Sequence, residues 1–123
     1  MKILIVDDSI FSQKIIANLI KKQLQNALIY FAKDGDEGLE KYKSINPDYA
    51  FVDLLMPKIT GEKLITLIKE YDANAKLIVV SADVQKSIKE ELDSYGIVAF
   101  INKPFTEEKS KNICDLIRND KNV

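Results

Sequence analysis

Lys2-Ile3-Leu4-Ile5-Val6-Asp7-Asp8-Ser9 carries an apolar run straight into two acids near the start of the chain. Four consecutive apolar residues without alternation suit a strand covered on both faces, and an abrupt change to two acids and a helix-capping residue marks where such a strand stops. Comparable apolar runs recur at Leu28 to Phe31, Tyr49 to Val52, Leu77 to Val80 and Ile97 to Ile101. Between them lie helical stripes. Ile15, Ile16, Leu19 and Ile20 mark the first, Leu39 and Tyr42 the second, and Leu64, Leu67, Ile68 and Tyr71, at i, i+3, i+4, i+7, the third. A thinner stripe of Val84, Ile88, Leu92 and Tyr95, with Gly96 placed to end it, predicts a loosely docked fourth helix, and Ile113, Leu116 and Ile117 mark the fifth.

Strict alternation of strand and helix predicts an α/β fold. The expected form is a doubly wound five-stranded parallel sheet flanked by five helices, with right-handed crossovers and strand order 2-1-3-4-5. A length of 123 residues, 46% of them apolar, suits one domain over 1-123 with a core of about 2-119. A net charge of −1 with both signs interspersed supplies no basic footprint for nucleic acid and no cationic face for a membrane. Cys114 has no partner in the chain, so nothing calls for an oxidising compartment, and a cytoplasmic setting is expected. No apolar run is long enough for a signal peptide or a spanning helix.

In such a sheet ligands bind beyond the carboxyl ends of the strands. The first strand runs into Asp7-Asp8, the third into Asp53, the fourth into Ser81 and the fifth into Asn102-Lys103-Pro104. Taken singly, each has an ordinary reading: Asp8 or Ser9 as a helix cap, Asp53 as a loop carboxylate, Ser81 as a cap of the fourth helix, Lys103 as a solvated lysine. Taken together, three carboxylates, a hydroxyl and an ammonium at four strand ends argue for one pocket. Crowded carboxylates need a cation, and an oxygen-only set without histidine or cysteine favours a hard one, Mg²⁺ with Mn²⁺ as a substitute. A carboxylate beside a divalent cation, a lysine and a hydroxyl is equipped to attack phosphorus and form an aspartyl phosphate.

These residues resemble the response-regulator receiver family of two-component signalling, with its flavodoxin-like, CheY-like fold, over essentially the whole chain. The resemblance rests on Ile5-Val6-Asp7-Asp8-Ser9, on Val52-Asp53-Leu54-Leu55-Met56-Pro57 with Gly61, on Val80-Ser81-Ala82 and on Asn102-Lys103-Pro104-Phe105. It implies that Asp53 is the phosphoacceptor, that Asp8, Asp53 and the backbone oxygen of Leu55 hold the metal, and that Asp7 contacts it through water. It implies that Ser81 and Lys103 sense the phosphoryl group, that Phe100 is the aromatic switch, and that the Lys103–Pro104 bond is cis. Three departures stand out: Ser81 where Thr is frequent, Phe100 without a phenolic oxygen, and an apolar Leu55. Leu55 and Asp83 flank the path of the hydrolytic water in this resemblance, and Asp83 is the one able to orient it.

The expected function is therefore a phosphorylation-activated switch, not an enzyme acting on other substrates, whose helix 4, strand 5 and helix 5 face changes for a partner. The expected phosphoryl source is a histidine kinase or phosphotransfer protein, in chemotaxis or a phosphorelay. With no effector domain after the last helix, output is expected through a separate protein, such as a flagellar motor component, from a monomer or weak dimer. A dehalogenase-like phosphatase would need Asp-x-Asp where Asp7 and Asp8 are adjacent, and a flavin carrier would need a Ser/Thr/Gly-rich phosphate loop there. The nearest rival is a degenerate receiver working without phosphate.

Overall fold

The computed structural model describes residues 1–82 and 84–120. Its elements run β1 (Lys2–Val6), α1 (Ile10–Gln23), β2 (Leu28–Ala32), α2 (Gly35–Ile45), β3 (Tyr49–Val52), α3 (Gly61–Tyr71), β4 (Leu77–Ser81), α4 (Lys86–Asp93), β5 (Ala99–Asn102) and α5 (Glu107–Arg118). All four strand pairings are parallel, as the alternation predicts, and the order is the expected β2-β1-β3-β4-β5.

The unbroken apolar runs have a structural cause. Leu4, Val6, Ala50, Val52, Leu77 and Val79 point into a core shared with Tyr42 of α2, with Leu64, Ile65 and Ile68 of α3, and with Leu92 of α4. Ile3, Ile5, Tyr49, Phe51, Ile78 and Val80 point the other way, onto Ile16, Ala17 and Ile20 of α1 and Ile113, Cys114 and Ile117 of α5. Successive strand residues thus feed two different cores, which keeps Ile3 to Val6, Tyr49 to Val52 and Leu77 to Val80 apolar without alternation.

Helix ends follow short polar side chains. Ser9, Asp34, Thr60 and Thr106 accept from the backbone N–H three residues on at the starts of α1, α2, α3 and α5. The start of α4, at Gln85, has no such side-chain bond, and Leu92 is the one buried side chain within the helix. That accords with the weak docking predicted for it. Gly96, at φ 73°, turns the chain after α4 and not at its last residue, which is Asp93.

The helices differ from their predicted stripes in phase. In α1 the buried set is Gln13, Ile16, Ala17 and Ile20, while Ile15 and Leu19 only flank it. In α3 Ile65 is buried, Leu67 is half-buried and Tyr71 is exposed. In α5 Cys114 is buried and Leu116 is exposed. Close approach explains the outer pair: Ser110 Oγ donates to the carbonyl of Leu19 at 2.9 Å, so α1 and α5 meet through small side chains, and bulky ones move aside. Sheet pairing in β5 begins at Ala99, two residues later than predicted; ahead of it, after the Gly96 turn, Val98 meets β4 through its N–H on the Leu77 carbonyl at 2.9 Å.

Two buried phenols close the lower part of the cores. Tyr42 donates to Asp72 at 3.0 Å, and Tyr49 donates to Asp120, which also pairs with Lys76. Burial pushes both phenols up, and the neighbouring carboxylate raises each further. Each phenol keeps its proton longer when folded than when unfolded. Their contribution is therefore whole below the unfolded value of about pH 10 and is lost as pH rises past it. Urea unfolding is expected to show stability falling above about pH 10. Tyr42→Phe should lower stability at pH 8 yet flatten that fall, and an unchanged slope would contradict the assignment.

Candidate functional site

The register builds the site. Val6 pairs with Val52, and the N–H of Asp53 donates to the Val6 carbonyl at 3.0 Å, which puts Asp7 and Asp53 side by side as the chain leaves β1 and β3. Ser81 pairs with Asn102 and its carbonyl accepts from the N–H of Lys103 at 2.8 Å, which delivers the hydroxyl and the ammonium to the same edge. The Lys103–Pro104 bond is cis, as the resemblance implies. Gly61 lies behind the loop that follows β3: a Cβ there would come within 2.3 Å of the Asp53 carbonyl, so the backbone of α3 supports that loop only as glycine.

Asp7 and Asp53 are 1% and 6% exposed, and both are fully engaged. Lys103 Nζ donates to Asp7 Oδ2 at 2.8 Å and to Asp53 Oδ2 at 2.9 Å. Ser81 Oγ and the backbone N–H of Leu55 each donate to Asp53 Oδ1 at 3.0 Å. The Ser9 N–H donates to Asp7 Oδ1 at 2.9 Å and Ser12 Oγ to Asp7 Oδ2 at 2.7 Å. Burial by itself would lower the Lys103 ammonium, but hydrogen bonds and charges from Asp7 and Asp53 outweigh it, so it is held above its ordinary value. It stays charged throughout neutral pH.

Of the ordinary readings, capping falls to Ser9, which leaves Asp8 exposed with its carboxylate free of protein donors among the described residues. Ser81 caps nothing; it ends β4, fully buried, with its hydroxyl on Asp53. Asp7, Asp8 and Asp53 each bring one carboxylate oxygen within 4.8 Å of the others. Three carboxylates and one ammonium carry a formal charge of −2, which one divalent cation offsets. The donors are oxygen only, and the chain has no histidine, so the set fits a hard cation.

Leu55 has its N–H on Asp53 and its side chain 60% exposed beside the site. Phe100 is half-buried, packed against the core beneath α4 with Lys89 Nζ 5.6 Å from its ring centre. Asp83 lies outside the described residues. Two residues were not anticipated from sequence. Gln13 is buried and its amide donates to the carbonyls of Asp7 and, at 3.3 Å, Ala32, holding the β1–α1 loop against β2. A polar residue on the buried stripe of α1 was its signal. Ser12 is the other, and only the turn at the start of α1 brings it back to Asp7.

The sequence matches the model of the response regulator receiver domain over residues 3–115. It is 38% identical over 104 residues to the chemotaxis protein CheY of Thermotoga maritima, covering 85% of this chain and 86% of that protein. It is 29% identical over 104 residues to a protein-glutamate methylesterase/protein-glutamine glutaminase of Geobacter sulfurreducens, but spans only 28% of that protein's length. The fold superposes on the CheX–CheY–BeF3–Mg²⁺ complex from Borrelia burgdorferi with a TM-score of 0.88 at 30% identity, covering 98% of this chain and 90% of that one.

Lys103→Met removes the ammonium that two buried carboxylates share. It is expected to lower stability at neutral pH by about 2–3 kcal/mol. Millimolar Mg²⁺ should recover more of that loss than it adds to the parent, because a cation bound to the folded state stabilises it by mass action. Urea melts with and without Mg²⁺ make the comparison, and an equal Mg²⁺ effect on both proteins would contradict the charge balance.

Proposed function

The chain belongs to the response-regulator receiver family, and we propose that it is a phosphorylation-activated switch in which Asp53 accepts a phosphoryl group beside a bound Mg²⁺. The observation that carries this reading is Lys103 Nζ bridging Asp7 and Asp53 at 2.8 and 2.9 Å while Ser81 holds the other oxygen of Asp53. It is a nucleophile with its charge-stabilising groups already in place.

Held by Asp8, Asp53 and the Leu55 carbonyl, with Asp7 joined through water, Mg²⁺ or Mn²⁺ would offset negative charge on the transferred phosphoryl group. The remaining steps belong to side chains of this chain. A carboxylate oxygen of Asp53 attacks phosphorus; the new O–P bond forms as the bond to the donor breaks, and the leaving group keeps that electron pair. Lys103 turns from the carboxylates to a phosphoryl oxygen, and the Ser81 hydroxyl re-aims from Asp53 Oδ1 to another. Movement of Ser81 at the end of β4 draws on Phe100 in the neighbouring strand, so the α4, β5 and α5 face repacks and a partner reads the change.

The phosphoryl source fits a histidine kinase or a phosphotransfer protein, the output a separate protein in chemotaxis or a phosphorelay, and the setting the cytosol. No helix among the described residues is long and apolar enough to cross a membrane. The chain catalyses only its own phosphorylation and dephosphorylation in this reading. Leu55 and Asp83 set the lifetime: an apolar Leu55 leaves the water to Asp83, and Asp83→Ala should slow loss of the phosphoryl group, an equal or faster loss overturning that role.

Intact mass after incubation with Mg²⁺ and acetyl phosphate tests the switch chemistry. The parent should gain one phosphoryl group and Asp53→Asn none. No gain in the parent, under conditions where a control receiver reacts, would favour a phosphate-independent module instead.

A further inference from the structure

Asp7 is nearly inaccessible to solvent, yet it receives three donors: the Ser9 N–H at 2.9 Å on Oδ1, and Ser12 Oγ at 2.7 Å with Lys103 Nζ at 2.8 Å on Oδ2. A carboxylate offers about four lone-pair positions, so nearly all are taken. Two donors on one oxygen compete for its charge. Lys103 is the donor that phosphoryl transfer requires elsewhere, and its departure removes a charge-assisted bond from a buried anion, which is costly unless another donor stays.

We infer that Ser12 is a positioning residue that shares Asp7 with Lys103, so that the ammonium can move to the phosphoryl group without stranding the carboxylate. The inference rests on the phosphoacceptor reading of Asp53. The Ser12 hydroxyl draws charge from Asp7 Oδ2, which weakens the hold of that oxygen on Lys103 and on a nearby cation alike. Ser12 is not required for the helix: the cap bond at this turn runs from its backbone N–H to Ser9 Oγ, which alanine preserves, and alanine is the better helix former.

The consequence is a pair of effects with opposite signs. Without the hydroxyl, Asp7 grips both Lys103 and the cation more strongly. Ser12→Ala should bind Mg²⁺ about three- to tenfold tighter by calorimetric titration with the metal alone. It should gain its phosphoryl group from acetyl phosphate at saturating Mg²⁺ more slowly by a similar factor, followed by intact mass. Ser12→Thr keeps the hydroxyl and should restore both values. A purely structural role would weaken both together.

Parallel changes in Ser12→Ala, values within about twofold of the parent, or a Ser12→Thr variant that behaves like Ser12→Ala would each overturn the assignment. If the parent itself neither binds Mg²⁺ nor gains a phosphoryl group, the reading of Asp53 falls and this one with it. A working parent beside an unresponsive Ser12→Ala would remove the Ser12 role alone.

Discussion

Lys103 Nζ, set between Asp7 Oδ2 and Asp53 Oδ2, is the interaction on which the rest of the site depends. Two buried carboxylates a few ångströms apart repel in a medium that screens poorly, and one ammonium with two short bonds makes their proximity tolerable. The same ammonium leaves the cluster underneutralised, because Asp8 adds a third carboxylate at the solvent edge. The pocket is thus satisfied enough to fold and negative enough to attract a divalent cation. A lysine shared between two anions is also a lysine able to leave one of them.

Everything else in the fold places those groups. Parallel pairing puts the carboxyl ends of β1, β3, β4 and β5 on one edge, and the register sets Asp7 beside Asp53 and Ser81 beside Asn102. Apolar side chains on both faces of the central strands hold that register, since each successive residue feeds a different core. Gln13 and Gly61 act one layer out: the first ties the Asp7 loop to β2, and the second lets α3 lie against the backbone of Asp53.

Much of this was legible in the chain itself, for physical reasons that can be named. Strands buried on both faces must read as apolar runs, and the residue where a run stops must stand at the sheet edge, so Asp7, Asp53, Ser81 and Lys103 were marked by position. Helix phase was less legible. Ala17 and Cys114 belong to the buried faces although they are small, whereas a stripe drawn through the bulkiest residues picks Ile15, Leu19 and Leu116. The β5 boundary slipped because Ile97 and Val98 are apolar and pack against the two cores just ahead of the strand. Ser12 was invisible because its bond to Asp7 depends on where α1 begins, which sequence bounds only to within a few residues.

In the proposed switch, Lys103 passes from Asp7 to the phosphoryl group when Asp53 is modified. A crystal structure of the protein with Mg²⁺ and beryllofluoride, a stand-in for the phosphoryl group on Asp53, tests it most directly. Beryllofluoride is expected on Asp53, the cation on Asp8, Asp53 and the Leu55 carbonyl with Asp7 joined through water, Lys103 Nζ on a fluorine and no longer on Asp7, and the Ser81 hydroxyl on another fluorine. Lys103 still bridging the two carboxylates, or the cation and beryllofluoride bound elsewhere, would contradict it.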